Sequence, residues 1–225
     1  MGRRFTELSH RMIPGKENFQ LETRTFDVTE LLPDVKHRPD IWYVLSDVKF
    51  SSHMGTHIEF PFHHWKEGKD AASYPLERMI GDAIVLDFSG KTNAEAITLE
   101  EVKAKAGRLR QDDIIFIRTD MDYYFRTPRW AEQPYLTEEA MDWLISFGPK
   151  IIGTDASGFE VPGTDCQPNH LNMFKHGIAM IESATNLAAI GEERVECFVL
   201  PLPIEGIDAC PVRIVAVRNG EDPNG

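Results

Sequence analysis

Short apolar runs rich in β-branched residues, each closed by turn formers, recur along the chain at Trp42–Leu45, Ala83–Phe88, Ile114–Arg118, Ile151–Thr154, Cys197–Leu202 and Val212–Val217. Runs of that length and composition read as strands. Helical spacing is rarer. Thr98-Leu99-Glu100-Glu101 is a capping box and predicts a helix to about Arg110. Thr137-Glu138-Glu139 opens a second, with Met141, Leu144 and Ile145 on its apolar face and Gly148-Pro149 as its stop. A third, short helix is expected from about Asn169 to His176, ending at Gly177, and Ile178–Glu182 then reads as extended. Strands outnumber helices and are joined by long connections that are not hairpins. The expectation is a single α/β domain over residues 1–218, built on a mixed sheet with a few flanking helices. Residues 219–225, Asn-Gly-Glu-Asp-Pro-Asn-Gly, read as a flexible tail.

At 225 residues, 42% of them hydrophobic, the chain has the size and apolar content for one such domain. Its 24 basic and 36 acidic residues leave a net charge of −12, the wrong sign for non-specific binding to nucleic acid or to an anionic membrane. No apolar run approaches the ~20 residues of a membrane span. Met1-Gly2 with Thr6 fits a loose myristoylation pattern, and Arg3-Arg4-Phe5 fits a twin-arginine start. No apolar segment follows either, so the expected location is cytoplasmic. Cys166, Cys197 and Cys210 are odd in number and widely spaced, which is neither a disulfide framework nor a zinc ribbon.

The chemistry concentrates in one segment. Of 8 His residues, four (His53, His57, His63 and His64) fall between positions 53 and 64, together with Glu59, where an even scatter would place fewer than one. Imidazole and carboxylate are preferred ligands of divalent transition ions, here Zn²⁺ or Mn²⁺. Gly55, Thr56, Ile58 and Pro61 disfavour a helix there. In an extended segment alternate side chains share a face, so His53, His57, Glu59 and His63 point one way around a space left by Gly55, while His64 points to the other. Such ligands bind only as neutral imidazoles, so occupancy should fall below about pH 6. Further ligands must come from elsewhere. His170 and Glu182 bracket one helix–turn–strand unit and are the best candidates, with a local hydrogen bond or a plain surface charge as their competing roles. His176, six positions beyond His170, faces elsewhere on the helix.

His53-Met54-Gly55-Thr56-His57-Ile58-Glu59-Phe60-Pro61-Phe62-His63 resembles the His-x-Gly-Thr-His-x-Asp-x-Pro-x-His signature of the cyclase family of metal-dependent hydrolases. That family includes bacterial kynurenine formamidases and isatin hydrolases. Ile117-Arg118-Thr119, Ile152-Gly153-Thr154-Asp155, the stretch from His170 through Glu182 to Leu187, and Ile204-Glu205-Gly206 with Pro211-Val212-Arg213 extend the resemblance over most of the chain. It implies a barrel-like mixed sheet and a homodimer or homotetramer. It further implies one ion on His53, His57 and position 59, a second on position 59, His170 and Glu182, and His63 as general acid/base. Two departures stand out. Glu59 occupies the family's Asp position, and its extra methylene is expected to crowd the second ion. One strongly held ion on His53, His57 and Glu59 is then the preferred expectation, with His170 and Glu182 empty or tied by hydrogen bonds, and two ions sharing Glu59 the alternative. The loop Ala156-Ser157-Gly158-Phe159-Glu160 also differs from the family run and implies an altered substrate pocket.

The activity implied is hydrolysis of a C–N amide bond in a small aromatic or cyclic molecule. A metal ion lowers the pKa of water and polarises the carbonyl, and His63 moves the proton. Trp42, Phe60 and Trp65 are candidates to line an apolar pocket, with plain core packing as the competing role for each. Two other readings stay open: a lyase or cyclase working through an enolate, and a non-catalytic metal- or ligand-binding protein.

Overall fold

In a computed structural model that describes residues 2–92 and 94–219, the apolar runs become the staves of a closed sheet. The strands are β1 (Arg3–Glu7), β2 (Leu21–Asp27), β3 (Val44–Phe50), β4 (His57–Glu59), β5 (Ile80–Asp87), β6 (Ala96–Ile97), β7 (Ile114–Arg118), β8 (Tyr135–Leu136), β9 (Ile151–Thr154), β10 (Ala179–Glu182), β11 (Val195–Pro201) and β12 (Ala209–Asn219). The helices are α1 (Val28–Leu31), α2 (Leu99–Lys105), α3 (Glu138–Ile145) and α4 (Pro168–Lys175). The main sheet runs β1-β12-β11-β5-β7-β9-β10-β4, and β4 pairs again with β12. Seven strands therefore form a closed ring, with β1 added outside on β12 and no free edge within the ring. The expected mixed, barrel-like α/β fold is the one observed. Its parallel half is β5-β7-β9-β10, and β4, β11 and β12 are antiparallel to their neighbours.

The continuous apolar runs follow from burial on both faces of the sheet. On β5 and β7, Ala83, Val85, Ile114 and Phe116 point into the ring. Their alternates Ile84, Leu86, Ile115 and Ile117 point outward beneath the helices, against Val102, Met141 and Leu144. Each such side chain taken fully from water contributes roughly 1.5–3 kcal/mol. The interior is tight enough to dictate Gly153: a Cβ there would lie 2.9 Å from the Phe116 ring and 3.0 Å from Ile181.

Helix starts match expectation. Thr98 and Glu101 form the reciprocal cap of α2, and the Thr137 side chain accepts from the Ala140 N–H at the start of α3. The helix α2 ends at Lys105, earlier than Arg110, with Ala106 as its cap and Gly107 just beyond. Strands β1 and β2 escaped prediction because their sequences, RRFTE and LETRTFD, are polar and largely exposed, with no buried face to set a period. They are held by backbone pairing, β1 on β12 and β2 with β3 in a separate two-stranded sheet. The expected tail at 219–225 begins one residue too early, since Asn219 pairs with Arg3 as the last residue of β12. Residues 220–225 lie outside the described residues. No helix among the described residues is long and apolar enough to cross a membrane.

Candidate metal and catalytic site

The three residues of β4 are all buried between β10 and β12. Ile58 and then Phe60 point into the ring. By the two-residue period His57 and Glu59 point out of it, toward the end of β10 and toward α4. Only 57–59 is strand. The chain turns at Ser52–Gly55 and again at Pro61–His63, a 3₁₀ turn closed by the His63 N–H on the Phe60 carbonyl at 2.8 Å. The expected single extended face from 53 to 63 is thus replaced by a strand with a turn at each end. The two turns fold His53 and His63 back over Glu59, their ring centroids 4.6 Å apart. His64 is a correction: in a turn it does not alternate away, and its ring stacks on His170 at 5.6 Å with a 21° interplanar angle.

Two sets of ligating atoms meet at Glu59, which is only 2% exposed. On one side Oε1 accepts from His53 Nδ1 at 2.8 Å and lies 3.2 Å from His57 Nε2. On the other, Oε2 has no hydrogen-bond partner although it is buried. It lies 3.6 Å from His170 Nε2, and Glu182 Oε1 lies 3.5 Å from the same nitrogen. Glu182 Oε2 is also 3.6 Å from His57 Nε2. These separations are too long for hydrogen bonds. They match two ligands of one ion, since bonds of about 2.1 Å at a tetrahedral angle place donor atoms roughly 3.4 Å apart. Both triads, His53–His57–Glu59 and Glu59–His170–Glu182, bring one atom per residue close enough to share an ion. The first triad is the one closed by hydrogen bonds, and the second keeps the ion-sized gap.

Supporting groups fix which nitrogen of each ring faces inward. His57 Nδ1–H donates to the Gly55 carbonyl at 2.9 Å, which leaves Nε2 toward Glu59. His170 Nδ1–H donates to Glu160 Oε1 at 2.6 Å, and the same oxygen accepts from the His170 backbone N–H at 2.8 Å. Such outer carboxylates set the tautomer and basicity of ligating histidines. Gly158, in the same loop as Glu160, makes room for Glu182: a Cβ on it would sit 2.8 Å from Oε1, and its φ is +118°. This loop therefore packs against the candidate ligands His170 and Glu182 themselves.

Four carboxylates (Glu59, Glu160, Glu182, Asp208) surround His53, His57, His63 and His170. Burial alone would disfavour protonated rings, but the carboxylates outweigh it. Glu59 and Asp208 raise His53 to about 9, while Glu160, Glu182 and Glu59 raise His170 to about 10. His57 is raised for the same reason, by Glu59 and Glu182 against its complete burial. Burial would raise Glu59, yet its histidine neighbours hold it well below the ordinary carboxylate range. Likewise Asp208 is held down to about 2 by His53 and His63 despite its partial burial. Where no metal sits, protons supply the positive charge.

Every metal-ligand candidate read from the sequence converges here, and so does His63. Two partners were missed. Asp208 accepts from His53 and His63, and Glu160 from His170. The aromatic candidates fare differently. Phe60 is fully buried in the ring interior, 5.3 Å from the Tyr74 ring, because its even position points it away from Glu59. Its role is core packing. Trp42, just before β3, is 83% exposed, and Trp65 is 47% exposed beside the 3₁₀ turn. His176 is exposed at the end of α4, bonded to the Asn172 carbonyl. A second acidic group, Asp120–Asp122–Asp155, ties strand ends together. Asp155, raised to about 7 by burial, accepts from the backbone N–H groups of Thr119 and Asp120.

Comparison with known proteins gives the family from sequence and the fold from solved structures. The family model described as "Putative cyclase" matches residues 6–161. Kynurenine formamidase of Erythrobacter litoralis is 30% identical over 161 residues, 71% of this chain and 70% of that protein. Kynurenine formamidase of Salinibacter ruber is 27% identical over 180 residues, 80% and 82% of the two chains. Among solved structures, isatin hydrolase A from Labrenzia aggregata superposes with a TM-score of 0.79 at 21% identity, covering 96% of this chain and 93% of its own. A potential metal-dependent hydrolase with cyclase activity gives 0.76 at 20% identity, covering 98% and 100%. The chain belongs to the cyclase family.

Proposed function

We propose that the protein is a divalent-metal-dependent hydrolase that cleaves a C–N amide bond in a small aromatic or cyclic substrate. The observation that carries this reading is the buried Glu59 carboxylate. It has one oxygen on His53 and His57 and the other without a partner, facing His170 across 3.6 Å. A buried, unpaired carboxylate oxygen costs roughly 1–3 kcal/mol or more, and a cation removes that cost. Zn²⁺ and Mn²⁺ both suit a set of neutral imidazoles and carboxylates. The names of the relatives support the choice of an amide as the bond broken.

Glu59, His57, His170 and Glu182, with His53, would hold one or two ions. A bound ion would supply Lewis-acid activation of the carbonyl and a more acidic water. The remaining chemistry falls to His63. Its Nδ1–H donates to Asp208 Oδ2 at 2.8 Å, so in the neutral ring the lone pair is on Nε2. That nitrogen takes the proton of the attacking water and returns it to the departing nitrogen as the C–N bond breaks, yielding a carboxylic acid and an amine. Proton transfer of this kind contributes roughly 10²–10⁴-fold.

The direct test is turnover of N-formylkynurenine and of isatin by protein reconstituted with Zn²⁺ or Mn²⁺, followed by chelation. Hydrolysis that disappears with the chelator and returns with the ion is expected. A replete protein inert toward both compounds and toward other aryl formamides would refute the reading.

A further inference from the structure

We propose that Asp208 is a positioning residue, whose single oxygen Oδ2 aligns His63 for proton transfer and His53 for ligation at the same time. The proposal rests on the hydrolase reading above but can be tested apart from it. Sequence places Asp208 some 150 positions from both rings, and the fold brings it to them. β12 begins at Ala209, directly opposite Glu59 of β4, and the Asp208 carbonyl accepts from the Phe60 N–H at 2.9 Å. The residue is therefore clamped by backbone bonds at the point where β4 turns into the His63 segment.

Its side chain makes three hydrogen bonds. Oδ2 accepts from His53 Nε2 at 2.8 Å and from His63 Nδ1 at 2.8 Å, while Oδ1 accepts from the Ser52 hydroxyl at 3.0 Å. An ionised carboxylate only accepts, so both ring nitrogens facing it carry hydrogen. Neutral His53 must then present Nδ1 toward Glu59, and neutral His63 must present Nε2 away from Asp208. One atom thus fixes two tautomers and two ring planes, and the Ser52 bond stops the carboxylate from rotating. The same three residues, His53, His63 and Asp208, also approach closely enough to hold an ion themselves. That arrangement would take the His63 Nδ1 proton away and leave the acid/base role without its orienting bond. The paired 2.8 Å contacts at one oxygen, with Glu59 claiming the opposite nitrogen of His53, favour positioning over ligation.

The experiment compares wild type with Asp208→Ala, Asp208→Asn and Asp208→Glu, using Zn²⁺ as the ion. Three readouts are taken: ring ¹⁵N shifts of the histidines, ions per subunit, and kcat with KM for amide hydrolysis. In Asp208→Ala the His63 signal is expected to lose its Nδ1–H tautomer pattern while the ion count stays that of wild type. Turnover should fall about 10–100-fold, the usual effect of losing a carboxylate that orients a histidine, with KM nearly unchanged. Asp208→Glu should restore part of kcat, and Asp208→Ala added to His63→Ala should cost little more than His63→Ala alone. If Asp208→Ala does not fold, Asp208→Asn removes the charge at constant shape and is judged by the same readouts. An unchanged His63 tautomer, or additive losses in the double variant, would overturn the proposal. Loss of one ion per subunit that higher Zn²⁺ concentration does not restore would instead make Asp208 a ligand and equally overturn it, since a misaligned His53 weakens binding without abolishing it. Should the protein hydrolyse no amide, the ¹⁵N and ion-count readouts still decide whether Asp208 orients the two rings.

Discussion

Loading the site with metal should expel protons, and the structure says how many and over what pH range. Without an ion, His53 is held at about 9 and His170 at about 10, and His57 is also raised. At pH 7 His53 and His170 therefore each carry a proton that a ligating nitrogen must lose. Removing the His53 proton at pH 7 spans two pH units and costs about 3 kcal/mol. The His170 proton spans three and costs about 4 kcal/mol. Both groups are largely buried, with side chains 20% and 3% exposed. Apparent affinity for Zn²⁺ should accordingly rise by about tenfold per pH unit for each of His53 and His170 that ligates, between pH 6.5 and pH 9. Competition with protons thus reaches well above the pH 6 limit that ordinary imidazoles imply. The stability of the metal-free protein has the opposite sign. A raised histidine stabilises the fold fully below about pH 6.5 and loses that contribution as pH climbs through 9–10. The metal-free form should therefore lose thermal stability progressively between about pH 6.5 and pH 10, and the loaded form should not. Titration calorimetry in buffers of different ionisation enthalpy counts the protons directly. Affinity independent of pH between 6.5 and 8.5, with no proton release, would refute the electrostatic reasoning.

Other variants separate the roles of individual groups. His63→Ala should keep the ion and lose roughly 10²–10⁴-fold in turnover, whereas His57→Ala should lose both, as read by elemental analysis beside kinetics. Glu160→Gln should weaken ion affinity roughly 10–100-fold by loosening the His170 tautomer, measured by competition with a chelating dye. Gly158→Ala should also weaken the ion, because its Cβ would press on Glu182 Oε1 at 2.8 Å. An affinity equal to wild type in Gly158→Ala would show that Glu182 does not need its present position.

Much of the site was legible because its ligands cluster in sequence. His57, Glu59 and the turn residues Gly55 and Pro61 carry the chemistry on their own, and the β-branched runs carry the ring of strands because both faces are buried. What escaped had no local signal. Asp208 and Glu160 are single carboxylates in loops, brought to the rings by the pairing of β12 with β4 and by the start of α4. The extended reading of 53–63 failed for a related reason. Period-2 logic needs a strand, and Pro61 with the His63 N–H bond makes a 3₁₀ turn that swings His64 onto His170. Phe60 fell on the wrong side of the same period. Strand β2 and the edge strand β1 are polar, and only backbone pairing declares them.

The central claim is that Glu59 is the clasp of a divalent ion site, and anomalous scattering at the metal edge from crystals grown with Zn²⁺ or Mn²⁺ tests it most directly. The account predicts a peak within bonding distance of Glu59 Oε2, His170 Nε2 and Glu182. A second peak, if both triads fill, should lie roughly 3.5–4 Å away toward His53 and His57. Metal-soaked crystals with no peak bonded to Glu59 would contradict it.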